Sequence, residues 1–170
     1  MAGPKPPCRE NIVSESVQVQ LRIERLYMKD ASFESPGAPS IFTQQFQPEM
    51  KVDINTSVNS LGDSRHEVVL SATVNAMRSD EKHAYIVEVQ QAGIFVIEGA
   101  EGQTLRQVLG IACPNTLFPY LRETLDSLVT KGGFPPLQLA PVNFEMLYAE
   151  AMRQAGAQSD VTPGAGETQH

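Results

Sequence analysis

The side chains that could do chemistry are few and dispersed. Three histidines, His66, His83 and His170, fall in what reads as a turn, a strand start and a tail. None stands at metal-ligand spacing with another histidine or with Cys8 or Cys113. The chain has no G-x-S-x-G, no phosphate-cradling P-loop and no G-x-G-x-x-G. Cys113 precedes Pro114 at an expected helix break, where a lowered thiol pKa can be pictured. A small apolar filler is the commoner use of such a residue. Asn55-Thr56-Ser57 matches a glycosylation sequon, which a cytosolic protein does not use. Enzyme is therefore the weakest class, and no metal or cofactor is expected.

What remains is apolar surface, and the elements that present it can be read from the periodicity. The organising stretch is Tyr85 to Ile97. Tyr85, Val87, Val89 and Gln91 share one face at period two, and Ile86, Glu88 and Gln90 share the other. Gly93 interrupts the run and marks a bulge, a bend or a close backbone approach. Beyond it the pattern is apolar throughout, as in a strand covered on both faces.

Three further strands precede it. Val17, Val19, Leu21 and Ile23 alternate with polar residues until the pattern slips at Arg25 and Leu26, predicting a bulge or an end. Met50, Val52 and Ile54 give a second strand, and Val68 to Ala76 a third. The two are joined by a turn over 59–64 that contains Gly62. The connection from Ser35 to Pro48 is too long for a hairpin turn, and loops of that length usually have a use. After Gly102 the period changes. Leu105, Val108, Leu109 and Ala112 predict a helix that Pro114 ends. A second helix from about Thr116 carries Leu121, Leu125, Leu128 and Val129 and stops at Gly132-Gly133. Asn143 caps a last helix carrying Phe144, Leu147, Tyr148 and Ala151, with Gly156 as its expected end. Strands first and helices afterwards predict an α+β fold, a four-stranded antiparallel sheet with helices packed on one face.

At 170 residues the chain suits a single domain, placed at 17–156 between a mobile arm at 1–16 and a disordered tail at 157–170. The net charge of −7 argues against nucleic acid or an anionic membrane as partner. Two dissimilar cysteines, Cys8 and Cys113, do not make a disulfide framework and fit a reducing cytoplasm. The proline-containing N-terminus lacks the apolar core of a signal peptide, and no run approaches the ~20 apolar residues of a membrane span. No direct membrane insertion is expected.

Four motifs, in order and without large gaps, carry a resemblance covering about residues 17–154. Glu88-Val89-Gln90-Gln91-Ala92-Gly93-Ile94-Phe95 resembles the E-V-Q-Q-x-G-I-F of the bacterial export chaperone family SecB. Tyr27 to Glu34 resembles its Y-x-K-D-x-S-F-E, Cys113 to Tyr120 its C-P-N-x-L-F-P-Y, and Leu139 to Phe144 its L-A-P-V-N-F. The resemblance implies an ATP-independent holdase, a homotetramer built as a dimer of dimers. It would keep precursor proteins unfolded in the cytoplasm and hand them to the SecA motor. It also implies roles for residues. Asp30, Glu34, Ile86 and Glu88 match the positions that contact SecA. Val87, Val89 and Gln91 match the strand face that builds the tetramer. Ile41, Phe42 and Phe46 of one loop, and Phe134, Leu137 and Leu139 of another, match the loops that hold the client. Phe46 stands where many members carry Trp, and the tail lacks the strong acidity that could add to SecA docking. A small-ligand-binding α+β module and a SecB-like chaperone controlling a toxin partner are the alternatives.

Overall fold

A computed structural model describes residues 18–78 and 82–159. The arm expected at 1–16, with Cys8, and the tail from 160 on, with His170, lie outside the described residues. Strands β1 (Gln20–Glu34), β2 (Glu49–Gly62), β3 (Arg65–Met77) and β4 (His83–Glu98) form one antiparallel sheet in the order β1-β4-β3-β2. The organising stretch is therefore a central strand, as the covered pattern after Gly93 requires. The long connection after β1 is explained by the same order: it carries the chain from one edge of the sheet to the other. A short 3-10 turn, Ser40–Thr43, lies within it and buries Ile41.

β1 runs well past the slip at Arg25 because two bulges keep its faces in phase. Ile23 pairs with Phe95 and Arg25 with Ile94, so Glu24 is the extra residue. Met28 pairs with Gln91 and Asp30 with Gln90, so Lys29 is the second. A bulge sets two residues against one and shifts the alternation by a step. Leu21, Ile23, Leu26, Met28, Ala31 and Phe33 thereby fall on a single face across the whole strand. Gly93 itself sits in unbroken pairing with Leu26 and Val68. Its role is the close approach: a Cβ there would meet the Phe95 ring at 2.7 Å.

β2 extends beyond Asn55 to Gly62, and the turn shrinks to Asp63 and Ser64. Both have positive φ, 49° and 60°, which a two-residue hairpin of this twist needs. The polar run Asn55 to Ser60 hides the strand, since an edge strand held by β3 does not need an apolar pattern.

The helical segment departs from the sequence reading. Pro114 does not end a helix. Helix α1 (Gly102–Gln107) passes through a π turn (Val108–Ala112) into α2 (Cys113–Lys131) without a break. The π turn has the Cys113 amide donating to the Val108 carbonyl. This wider turn accommodates a residue that has no amide to donate. Cys113, Leu117, Leu121, Leu125 and Val129 then line one side of α2, each fully buried. They pack on Val68, Leu70, Val74, Val87, Val89 and Phe95 of the sheet. Each such side chain contributes about 1.5–3 kcal/mol by leaving water. Burial pushes the Cys113 thiol up to about 12, which suits the filler and not a nucleophile. Helix α3 (Phe144–Ser159) starts where expected, with the Met146 amide donating to Asn143 Oδ1 at 3.0 Å, and continues past Gly156.

Candidate functional site

The two loops singled out in the sequence meet at one side chain, Phe134. Phe42 and Phe46 arrive from the β1–β2 connection, each with its ring centroid 5.2 Å from that of Phe134. Tyr85 of β4 lies at 4.8 Å and Phe33 of β1 at 6.2 Å. Offset and tilted rings at these spacings attract one another beyond their area burial. The hub is layered. Phe134 is 5% exposed, and Ile41 and Leu139 are buried with it. Phe42 is 52% exposed, while Phe46 and Leu137 are half-buried against the core. Three of the six loop residues therefore support the surface from beneath, and three present it. Phe33 and Tyr85 were not foreseen as members. Phe33 reaches this face only through the Lys29 bulge, which a period-two reading cannot supply.

A second apolar feature went unseen in the sequence. A cleft of about 710 Å³ lies between the inner side of β2 (Ile54, Thr56, Val58), Leu109 and Gly110 of the π turn, and Phe144, Leu147 and Tyr148 of α3. Only tertiary packing brings these segments together. Its floor depends on Gly110, where a Cβ would meet the Tyr148 ring at 2.5 Å.

The opposite face of the sheet carries Val69, Ala92, Ile94 and Val96 toward one end and is polar toward the other, where it holds the expected acidic row. Glu34 pairs with Ile86, Ser32 with Glu88 and Asp30 with Gln90, so Asp30, Glu34, Ile86 and Glu88 all lie on this face. The three carboxylates are exposed, and Thr73 Oγ1 donates to Glu88 at 3.4 Å. Nearby, a buried carboxylate escaped the sequence reading. Glu67 of β3, 9% exposed, accepts from Tyr27 Oη, from Lys29 Nζ at 2.8 Å and from Asn59 Nδ2 at 2.8 Å. The Lys29 ammonium, then the Tyr27 and Asn59 donors, hold it down at about 2. Tyr27, donating to that carboxylate, is pushed up to about 12.

Val87 and Val89 sit in the core of the single chain, 0% and 1% exposed, under α2. Gln91, also buried, donates to the Tyr27 carbonyl at 3.0 Å. On the sheet, open apolar side chains lie on the edge strands, among them Leu21, Ile23 and Met28 on β1 and Met50, Val52 and Val58 on β2; Tyr120 on α2 and Met146 on α3 are open as well. Among the described residues no cluster of His, Cys, Asp and Glu could hold a metal ion, and no helix is long and apolar enough to cross a membrane.

The described residues thus form a sheet backed by one long helix, with an aromatic hub where two loops meet and a cleft lined in large part by apolar side chains. Comparison with known proteins gives the family. Residues 14–155 match the family described as preprotein translocase subunit SecB. A protein-export protein SecB of Marinobacter nauticus is 53% identical over 81% of this chain and 82% of its own length. That of Hahella chejuensis is 49% identical over 80% of this chain and 85% of its own, and that of Ectopseudomonas mendocina 49% over 84% and 90%. The chain belongs to the SecB family and is a protein-export chaperone. The fold also matches a SecB-like chaperone of Mycobacterium tuberculosis solved with a ChAD peptide from an antitoxin, at TM-score 0.60 and 15% identity, over 72% of this chain and 91% of that one.

Proposed function

We propose that the chain works in the cytoplasm as a homotetrameric holdase, a dimer of dimers, that keeps precursor proteins unfolded and delivers them to SecA. The observation that carries the client site is the convergence of the two loops on Phe134 with Phe42 left half in water. A holdase must grip many sequences, and loop-borne aromatic surface can repack around each. Binding the unfolded chain without a reaction shifts the folding balance by mass action. Phe42, Phe46 and Leu137 make the contact, and Ile41, Phe134 and Leu139 hold them up. Several weak contacts per subunit, repeated in a tetramer, then supply avidity.

For SecA, the exposed row of Asp30, Glu34 and Glu88 with Ile86 offers a flat acidic surface to a basic one. For assembly, the open edge rows on β1 and β2 are the apolar area a second copy would cover. Val87, Val89 and Gln91 contribute by fixing the core and the strand that those rows flank. The decisive test is the variant Phe46→Ala, Phe134→Ala, Leu137→Ala. It is expected to keep its oligomeric state and SecA binding while losing the ability to delay refolding of a denatured preprotein. A triple variant that delays refolding as long as wild type does would place the client elsewhere.

A further inference from the structure

The acidic row exists on one face only because of the Lys29 bulge. Counted at period two from Tyr27, positions 29, 31 and 33 would share its face, and 30, 32 and 34 would lie opposite. That count would put Phe33 in water and turn Asp30 and Glu34 toward the core. The bulge reverses this. It sets Asp30 against Gln90, Ser32 against Glu88 and Glu34 against Ile86, all outward, and returns Ala31 and Phe33 to the inner face.

The bulged residue is not loose. Lys29 Nζ bonds Glu67 Oε1 at 2.8 Å, on a strand two places away, with the Lys29 side chain 41% exposed and that of Glu67 12%. Tyr27, the partner of Ala92 across β4, reaches the same oxygen. Ala92, the β4 residue opposite Tyr27, is small and fully buried, while Glu67 itself pairs with Ile94, so the bond crosses β4 on the diagonal. Asn59 bonds the other oxygen from β2. One carboxylate thus ties the bulge to the rest of the sheet. It does so on the face that carries the docking row.

We propose that Glu67, acting through Lys29, is a positioning residue for SecA docking. It pins the β1 bulge that turns Asp30 and Glu34 to the same face as Glu88. This rests on the reading of that face as the SecA dock. Bulges shift the faces of a strand and re-aim side chains, and an unpinned one lets register slip.

Lys29→Met is the informative variant because charge and positioning predict opposite signs. Removing a cation beside an acidic row strengthens attraction to a basic partner. Loss of the pin should instead weaken it, by about fivefold or more, as read by calorimetric titration of full-length chain with SecA. Lys29→Arg should keep wild-type affinity, since it keeps the cation. Glu67→Gln should match Lys29→Met, and both should speed amide exchange at Asp30 and Ala31 while client holding is kept. Glu88→Lys separates the two possible failures. If it leaves SecA binding unchanged, the docking face is misassigned and this proposal falls with it. If it abolishes binding while Lys29→Met binds as tightly as wild type or tighter, the face is right and the positioning role is wrong.

Discussion

At the scale of the residue, Glu67 is a carboxylate held far from its condition in solution by three donors. Its carboxyl titrates at about 2 in the folded chain against an ordinary 4.5. A depressed carboxylate contributes stability that is complete above the unfolded value and fades as pH falls from about 4.5 toward about 2. Such a shift corresponds to about 3 kcal/mol at most, and the exposed side of Lys29 lowers that to about 1–3 kcal/mol. Glu67→Gln should therefore be less stable than wild type at pH 7, with the gap closing toward pH 2–3. Urea unfolding at a series of pH values checks this, and a gap that stays constant with pH would contradict the ion-paired state. The residue was missed in the sequence because its partners are Tyr27, Lys29 and Asn59, on two other strands. A lone Glu before Val68-Val69 looks like an ordinary solvated strand end.

At the scale of the element, α2 ends where a side chain from the sheet needs room. Gly132 has φ −69°, a value any residue adopts, so alanine is no strain on the backbone there. By chain entropy alone, Gly132→Ala should stabilise by about 0.4–1 kcal/mol. Yet a Cβ at this position would lie 2.2 Å from Phe33 Cζ. Crowding of that kind in a packed core costs about 1–3 kcal/mol, so the net effect should be a lower melting temperature. Phe33→Leu on the same background should recover part of the loss. Gly132→Ala melting at or above wild type would mean that the ring moves freely. The elements differ in how openly the sequence declares them. Residues 85–91 could be read directly because one face is committed to core and the other is largely polar, and 92–97 because the run is apolar throughout. The second half of β1 and the polar end of β2 could not, because a bulge inverts the alternation in one and the other is held by its neighbour alone. Pro114 misled for a related reason: a π turn is invisible to rules for regular helices. The loops were legible as aromatic-rich segments, while their meeting at Phe134 depends on the crossing of the sheet.

At the scale of the whole molecule, the sheet has one face committed to α2 and the edges of that face left apolar. Val89 lies at the centre of the covered part, paired with Ala31 and Ala72. Val89→Asp would leave a charge there with no partner, at a cost of several kcal/mol. Wild type should sediment as a tetramer, and Val89→Asp as smaller species or as unfolded chain. A variant that remains a stable tetramer at low micromolar concentration by analytical ultracentrifugation would show that the strand tolerates water. The layered hub has a further consequence, for the thermodynamics of grip. Phe134 is already in contact with four rings of its own chain, so the proposed client site is filled at rest by the chain's own side chains. Any client that draws on the deeper residues must first open that cluster, and its apparent affinity is scaled down by the fraction of time the cluster is open. A short peptide would meet this tax with the contacts of one site alone. In the proposed tetramer a long unfolded chain would offset it by engaging several subunits at once, so length and lack of structure would be favoured over any one sequence.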